Sequence, residues 1–146
     1  MALLSWLKAK LQIARELSLI DWLRLGEAWF ALLWFYIAIR TTSFERLNLP
    51  KKVKANLTIT DGLAFARDLQ RLVHLASRLH FLSMTCLPRA FSLRSMLNRR
   101  GIPAQVQIGM TKSPQGIHAH AWLEVDDQQV GEPEDVTERF RKFDFT

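Results

Sequence analysis

The residues with the clearest chemical potential are the only cysteine, Cys86, and a histidine further along the chain, His120. Cys86 stands at the predicted start of a helix, because Thr85 is a typical N-cap residue and Pro88 is tolerated only in a first helical turn. At such a position the helix dipole favours a thiolate, and the free backbone N–H groups can bind an oxyanion. This is the environment that a nucleophilic cysteine needs.

Two predicted strands follow this helix. Apolar and polar residues alternate from Ala104 to Met110, as in a half-buried strand. The stretch His118 to Val125 alternates as well, and one face is expected to carry His118, His120, Trp122 and Glu124. His118 lies one pleat from His120 and is the competing assignment for a strand histidine.

A turn after the second strand is predicted to bring an acid to the histidine. Asp126-Asp127 is turn chemistry, and Gln129 to Glu132 can return antiparallel beside the strand. A return of this length places Glu132 near His120. A helix-start cysteine, a strand histidine and an acid on the next strand form the pattern of nucleophile, base and orienting residue.

These residues lie within a longer motif. The run CLPRAFSLRSMLNRRGIPAQVQIGM, followed by AHAWLEVDDQQVGEPEDV, resembles the leader peptidases of lasso-peptide biosynthesis. Those are small transglutaminase-like cysteine proteases that remove the leader from a ribosomally made precursor. The resemblance covers residues 60–146 closely and the N-terminal half loosely. The elements CLPRA, RRGIPA and HAW are specific together, in this order and spacing, and not singly.

The resemblance implies a role for each candidate site residue. Cys86 matches the nucleophile of the family and His120 its base. The third member, usually an aspartate, falls on Glu132, with Asp135 and Asp127 as the alternatives. The implied reaction is endoproteolysis at the leader–core junction, and it needs no metal or nucleotide cofactor.

The resemblance also implies an architecture and partners. The fold should be α+β, with an N-terminal helical region (1–57) packed on a papain- or transglutaminase-like core (58–146) that contains a small antiparallel sheet. The short form of the family lacks a leader-recognition domain. The expected partners are therefore the leader peptide of the precursor, a separate leader-recognition protein and the macrolactam cyclase.

Composition limits the remaining choices. The chain has 146 residues, 49% hydrophobic and 23% charged, which is typical of one globular domain. A single cysteine fits a reducing cytosol, and no convincing secretory signal is found, so a cytoplasmic protein is expected. The net charge of +6 lies in short clusters, Lys51–Lys54 and Arg94–Arg100, that are interpreted as solvated faces. Without aromatic interleaving, these clusters do not indicate nucleic-acid binding.

The N-terminal half is predicted to be helical. Residues 3–17 are amphipathic and indicate a surface helix, with an interfacial membrane helix or a docking helix as alternatives. Ser18 or Asp21 is expected to cap a second helix that runs to about Arg40. Its segment Ala28–Ile39 is apolar almost all round, which means either deep burial or a patch that awaits a partner. Peripheral membrane contact is thus kept as an expectation.

Three further elements are predicted. Thr60 is expected to cap a helix over residues 61–79, in which His74 and His80 are interpreted as structural histidines. Val136 to Phe140 indicates a short helix. Phe140, Phe143 and Phe145 could then pack the C-terminal segment against the body.

Other functions receive less support from the sequence. A zinc site made by Cys86, His118 and His120 lacks the usual paired ligands. No Gly-rich loop joins a strand to a helix, so nucleotide binding is not indicated. Two alternatives to the peptidase stay open. One is a transglutaminase-like acyltransferase that uses an amine in place of water, and the other is a non-catalytic scaffold that docks a partner through Ala28–Ile39.

Overall fold

The computed structural model describes residues 12, 15–50, 52–54, 60–131 and 136–142. From Leu19 onwards, these residues form the helices α1 (Leu19–Thr41), α2 (Phe44–Leu47), α3 (Gly62–Leu79), α4 (Cys86–Arg99) and α5 (Val136–Arg139). They also form the strands β1 (Gln105–Ser113), β2 (Gly116–Val125), β3 (Gln128–Gln129) and β4 (Arg141–Lys142). The antiparallel sheet has the order β3-β2-β1-β4 and curls into a half-barrel. The α+β prediction is confirmed.

Helix α1 begins with a capping box, which explains why the chain turns helical at Leu19. The Ser18 hydroxyl accepts a hydrogen bond from the Asp21 amide (3.2 Å), and the Asp21 carboxylate accepts one from the Ser18 amide (3.1 Å). The Ser18 hydroxyl also donates a hydrogen bond to the Asp21 carboxylate (2.6 Å), and this bond, followed by the one from the Ser18 amide, holds the pKa of Asp21 below its usual value. One face of α1, with Leu25, Ala28 and Leu32, is buried against α3 and α4. The predicted second helix is confirmed.

The opposite face of α1 carries an apolar stripe that is exposed to solvent. The stripe consists of Leu19, Leu23, Phe30, Trp34 and Ile37. Ala28–Ile39 is therefore divided between the core and the surface, because a helix packed on one side buries only the residues that recur every three or four positions. Among the described residues, α1 is the one helix long and apolar enough to cross a membrane. This is weak evidence, since the core helix of a soluble protein meets the same criterion.

Helix α3 begins one residue later than predicted. The N-cap is Asp61, whose carboxylate accepts a hydrogen bond from the Ala64 amide (2.9 Å), so the assignment of Thr60 was wrong. The helix buries Leu69, Val73 and Ala76 in the core and ends at Leu79. His80 follows directly and is buried, with its ring stacked on Trp29 at a centroid distance of 4.4 Å.

Helix α4 is the central element of the fold. It packs against α1, α3, β1 and β2, and eight of its residues are buried. Arg94 is one of the eight, so its interpretation as part of a solvated cluster was wrong. Its guanidinium donates hydrogen bonds to carbonyl groups of Leu47 and Leu49 and thereby ties the segment after α2 to α4. The helix stops at Gly101, which adopts a φ of 78°.

Strand β2 does not show the predicted alternation of burial. Residues 116–120 are exposed or half-buried, whereas every residue of 121–125 is buried. Helix α4 packs on one face of β2, while Phe140 lies near the Trp122 ring on the other face, where Lys142 of β4 reaches Glu124. The turn at Asp126-Asp127 is confirmed, and both residues adopt positive φ angles of 51° and 59°.

Candidate active site

Cys86 is the first residue of α4 and is half-buried at the edge of the hydrophobic core. Thr85 occupies the N-cap position as predicted, but its side chain makes no capping hydrogen bond. Pro88 lies in the first turn and has no N–H group. The amides of Cys86 and Leu87 therefore have no partner within the helix and are donors available at this end. The thiol thus lies beside backbone donors at the positive end of a helix that is held firmly by the core.

A cavity of about 300 Å³ connects the cysteine to the sheet. Its walls come from α3, α4, β2 and the segment after β3. Cys86 and His120 both line it, so the structure brings the predicted nucleophile and the predicted base to one cavity. The rest of the lining includes apolar residues such as Val73, Ala90 and Leu93, which limit the access of water on the core side.

The ring of His120 contacts two aromatic side chains. Its centroid lies 6.2 Å from that of Trp122 and 5.3 Å from that of Phe140. Gly109 is paired with His120 in the β1–β2 register. A Cβ atom at Gly109 would lie 2.6 Å from the Cβ of Phe140 and 2.8 Å from the Trp122 ring. The absence of a side chain at Gly109 therefore allows the aromatic packing that holds His120.

A buried carboxylate supports this aromatic cluster. Glu124 accepts a hydrogen bond from the indole N–H of Trp122 (3.0 Å) and forms a salt bridge with Lys142 (2.8 Å). The sequence had placed Glu124 on the same face as His120 without giving it a role. Trp122 lies between His120 and Glu124 along the strand. The hydrogen bond to Glu124 therefore holds the Trp122 ring that contacts His120, and the salt bridge with Lys142 links β4 to β2.

The predicted third member of the triad, Glu132, lies outside the described residues, and so does the alternative Asp135. Asp127 is described and lies in the exposed β2–β3 turn. The turn begins six residues beyond His120, which corresponds to roughly 20 Å along an extended strand. Asp127 does not line the cavity. The amide of Val130 donates to the carbonyl of Leu123 (2.9 Å), so the chain still runs beside β2 just before Glu132.

Two residues of the cavity wall were not singled out from the sequence, Arg89 and Gln70. The Arg89 guanidinium donates to the carbonyl of Thr85 (3.2 Å) and lies 3.1 Å from Nδ1 of His74. Arg89 follows Cys86 by three positions on the same helix, and this spacing is the signal that could have identified it. It fixes the backbone just before the cysteine and places a cation in the cavity wall.

Gln70 supports the wall of the cavity that the segment after β3 forms. Its side-chain amide donates to the carbonyl of Val130 (3.3 Å) and packs directly against Gly131. Gly131 has a φ of 67° and leaves no room for a Cβ atom beside Gln70. No local sequence pattern links two residues so far apart in the chain. The contact sets the direction in which the chain leaves β3 at the edge of the cavity.

The other strand histidine is separate from this site. His118 is exposed, lies near the hairpin end and interacts with the hydroxyl of Ser113 (3.1 Å). It does not line the cavity. Within the part of the chain that the structure describes, no three His, Cys, Asp or Glu residues lie close enough together to hold a metal ion.

Comparison with known proteins gives one family. The sequence model of the transglutaminase-like superfamily matches residues 31–143, which begin inside α1 and extend through β4. No curated protein and no solved structure matches the chain at a significant level.

Proposed function

This chain belongs to the transglutaminase-like superfamily, and from this premise we propose that it is a cysteine endopeptidase that removes the leader from a lasso-peptide precursor. The superfamily includes cysteine proteases and acyltransferases, both of which use a thiol nucleophile. The observation that carries the proposal is the lining of one cavity by Cys86, at the start of the central helix, and His120. The lasso-peptide substrate rests on the resemblance of CLPRA, RRGIPA and HAW to that family of peptidases.

The proposed mechanism assigns a task to each group in the cavity. His120 accepts the thiol proton of Cys86, and the thiolate attacks the carbonyl carbon at the leader–core junction. First-turn amides of α4 donate to the oxyanion, and His120 protonates the leaving amine as the C–N bond breaks. Water, deprotonated by His120, then hydrolyses the thioester and releases the leader as a free acid. In this scheme the carboxylate of Glu132 orients the imidazole.

The residues around this pair support the proposed roles. The aromatic contacts of Trp122 and Phe140 limit the orientations available to the His120 ring. The bond from Arg89 to the carbonyl of Thr85 fixes the peptide just before the nucleophile. A nucleophile and a base that are each held by packed neighbours lose little freedom at the transition state, which favours catalysis.

Partners and location follow from the same proposal. The leader peptide of the precursor is the substrate, a separate protein recognises the leader, and a macrolactam cyclase receives the released core. We place these steps in the cytoplasm, because one unpaired cysteine fits a reducing compartment. Peripheral contact with a membrane through the apolar stripe of α1 is compatible with this location.

The direct test is incubation of the purified protein with a precursor peptide and its recognition protein in water enriched in ¹⁸O. We expect cleavage with one ¹⁸O atom in the new leader carboxylate, because the thioester is hydrolysed by solvent. Cys86→Ala and His120→Ala should abolish cleavage, and His118→Ala serves as the matched control that retains it. If Cys86→Ala cleaves as fast as the wild type, the peptidase proposal is refuted.

The same assay separates hydrolysis from acyl transfer. With hydroxylamine or a primary amine added, an acyltransferase would yield mainly a hydroxamate or an amide, whereas a peptidase still yields mainly the acid. A second measurement needs no substrate. It is the rate at which iodoacetamide alkylates Cys86, determined by mass spectrometry at a series of pH values. We expect His120→Ala to slow alkylation near neutral pH, because the base that accepts the thiol proton in the proposed mechanism is missing.

A further inference from the structure

A second cavity lies between α1, α2 and α4 and shares no lining residue with the cavity at Cys86. Its volume is about 370 Å³. Four of its lining side chains are basic, namely Arg46, Lys52, Arg94 and Arg99, and none is acidic. We refer to this cavity, defined by these four residues and Trp34, as the basic groove.

The buried cation of the basic groove is Arg94, which is only 5% exposed. Its guanidinium donates five hydrogen bonds, and all five acceptors are neutral oxygen atoms. Desolvation lowers the pKa of Arg94, and no described carboxylate opposes this effect. Buried charges in proteins are normally paired with an opposite charge. Arg94 thus contributes a positive charge that the described part of the chain does not neutralise.

The rim of the basic groove adds further positive charge. Arg46 and Lys52 are exposed, and neither has a described carboxylate within salt-bridge distance. Arg99 binds Glu27 (2.8 Å), but the same carboxylate also binds Arg100 (2.6 Å). One acid is thereby shared by two cations. The potential in the groove is therefore positive and attracts carboxylates.

An apolar surface adjoins these cations. Trp34 lines the basic groove and is 66% exposed, although it is a large aromatic residue. It also belongs to the apolar stripe of α1, with Phe30 one turn before it and Ile37 one turn after it. Apolar side chains form another part of the groove wall, namely Phe35, Leu47, Val53 and Phe91. Cations and exposed aromatic surface thus meet at Trp34.

We propose that the basic groove is the docking site for a segment of a partner protein that presents carboxylates beside an aromatic or branched aliphatic side chain. The carboxylates pair with Arg46 and Lys52 and lie in the field of Arg94, while the apolar side chain covers Trp34. A polypeptide fits this site better than a bilayer, because the groove is concave and Arg94 is recessed below the surface. Exposed tryptophan and arginine are also the residue types most enriched in the energetically dominant part of protein interfaces. This docking does not depend on the chemistry of Cys86.

The test measures binding of a short fluorescein-labelled peptide, in which glutamates flank a Trp-Leu pair, by fluorescence polarisation to the full-length protein. The groove variant is the double substitution Arg46→Glu/Lys52→Glu, which changes two exposed side chains and should leave the fold intact. Its matched control, Arg67→Glu/Arg78→Glu, makes the same change in net charge on exposed positions of α3. Circular dichroism verifies that all three proteins are folded. Vesicles of phosphatidylglycerol and phosphatidylcholine provide a second arm for the membrane alternative.

We expect the groove variant to bind the peptide about tenfold or more weakly, since two attractions become repulsions, and the control variant to bind within about threefold of the wild type. Binding should weaken as salt is raised. A peptide with glutamine in place of glutamate should bind as weakly as the groove variant does. If peptide binding is absent, or is reduced equally in both variants, the proposal is overturned. Binding to anionic vesicles but not to the peptide, lost in the groove variant, would overturn it in favour of a membrane surface.

Discussion

Removal of the Arg94 guanidinium is expected to destabilise the protein strongly. Arg94→Met keeps much of the length of the side chain but deletes five hydrogen bonds. Three of these bonds are short, at 2.7 Å to Leu49, 2.9 Å to Leu47 and 3.2 Å to the side chain of Asn48. The other two, at 3.3 and 3.5 Å, are weak.

The magnitude follows from the short bonds. A hydrogen bond from a charged donor contributes about 1.5–3 kcal/mol net, so three at the lower end contribute about 4–5 kcal/mol. Relief of the desolvation of the guanidinium offsets part of this loss. We therefore expect Arg94→Met to lower the free energy of unfolding by about 3–5 kcal/mol, a large part of the stability of a domain of this size.

Urea unfolding followed by circular dichroism measures this free energy. Arg94→Lys keeps the charge with three donors instead of five, so we expect it to lose roughly half as much stability as Arg94→Met. Arg67→Met changes an exposed arginine and should stay within about 0.5 kcal/mol of the wild type. If Arg94→Met unfolds within about 1 kcal/mol of the wild type at an unchanged denaturant slope, the bonds to the 47–49 segment do not stabilise the fold and the reasoning is refuted.

Three other predictions concern the sheet and the buried histidine. Gly109→Ala inserts a methyl group into a packed aromatic contact and should cost about 1–3 kcal/mol in urea unfolding, whereas Gly26→Ala, where nothing lies near the new Cβ, should not destabilise. Lys142→Met leaves the buried carboxylate of Glu124 without its cation and should cost about 1–2 kcal/mol, with Lys142→Arg close to the wild type. Burial lowers the pKa of His80, and a smaller opposing effect comes from the backbone of Trp29 in α1. At mildly acidic pH the unfolded state therefore binds more protons than the folded state. The stability contributed by His80 is thus complete above pH ~6.5 and declines below it. His80→Phe should therefore reduce the loss of thermal stability that the wild type shows between pH 7 and pH 5. An unchanged loss would contradict the role assigned to His80.

The sequence was sufficient to predict the elements that depend on local signals. The start of α4 at Cys86 follows from Thr85 and Pro88, and the start of α1 follows from Ser18 with Asp21 three positions later. These signals act within one helical turn, so no knowledge of the rest of the fold is needed. The choice of Thr60 over Asp61 failed because the two are adjacent and both are good caps.

Features that depend on distant residues could not be predicted in the same way. The salt bridge of the buried Glu124 depends on Lys142 in β4, a two-residue strand that has no sequence signature of its own. The burial of Arg94 depends on carbonyl groups near residue 48 that its charge alone does not indicate. That Cys86 and His120 line one cavity agrees with the pattern of a helix-start cysteine and a strand histidine, to which the resemblance added a role for each residue.

Gly109 has a further consequence for how the two long strands choose their pairing. An antiparallel hairpin can slip by two residues and still keep the same side chains on each face. A slip of this kind would place Gln107 or Thr111 opposite His120, where a side chain would meet the space that the Trp122 ring occupies in the native pairing. Only the native register puts a residue without a Cβ atom beneath the aromatic cluster. Gly109 thus disfavours a misaligned pairing of β1 with β2. By favouring the native register, it also determines the position of His120 along the sheet.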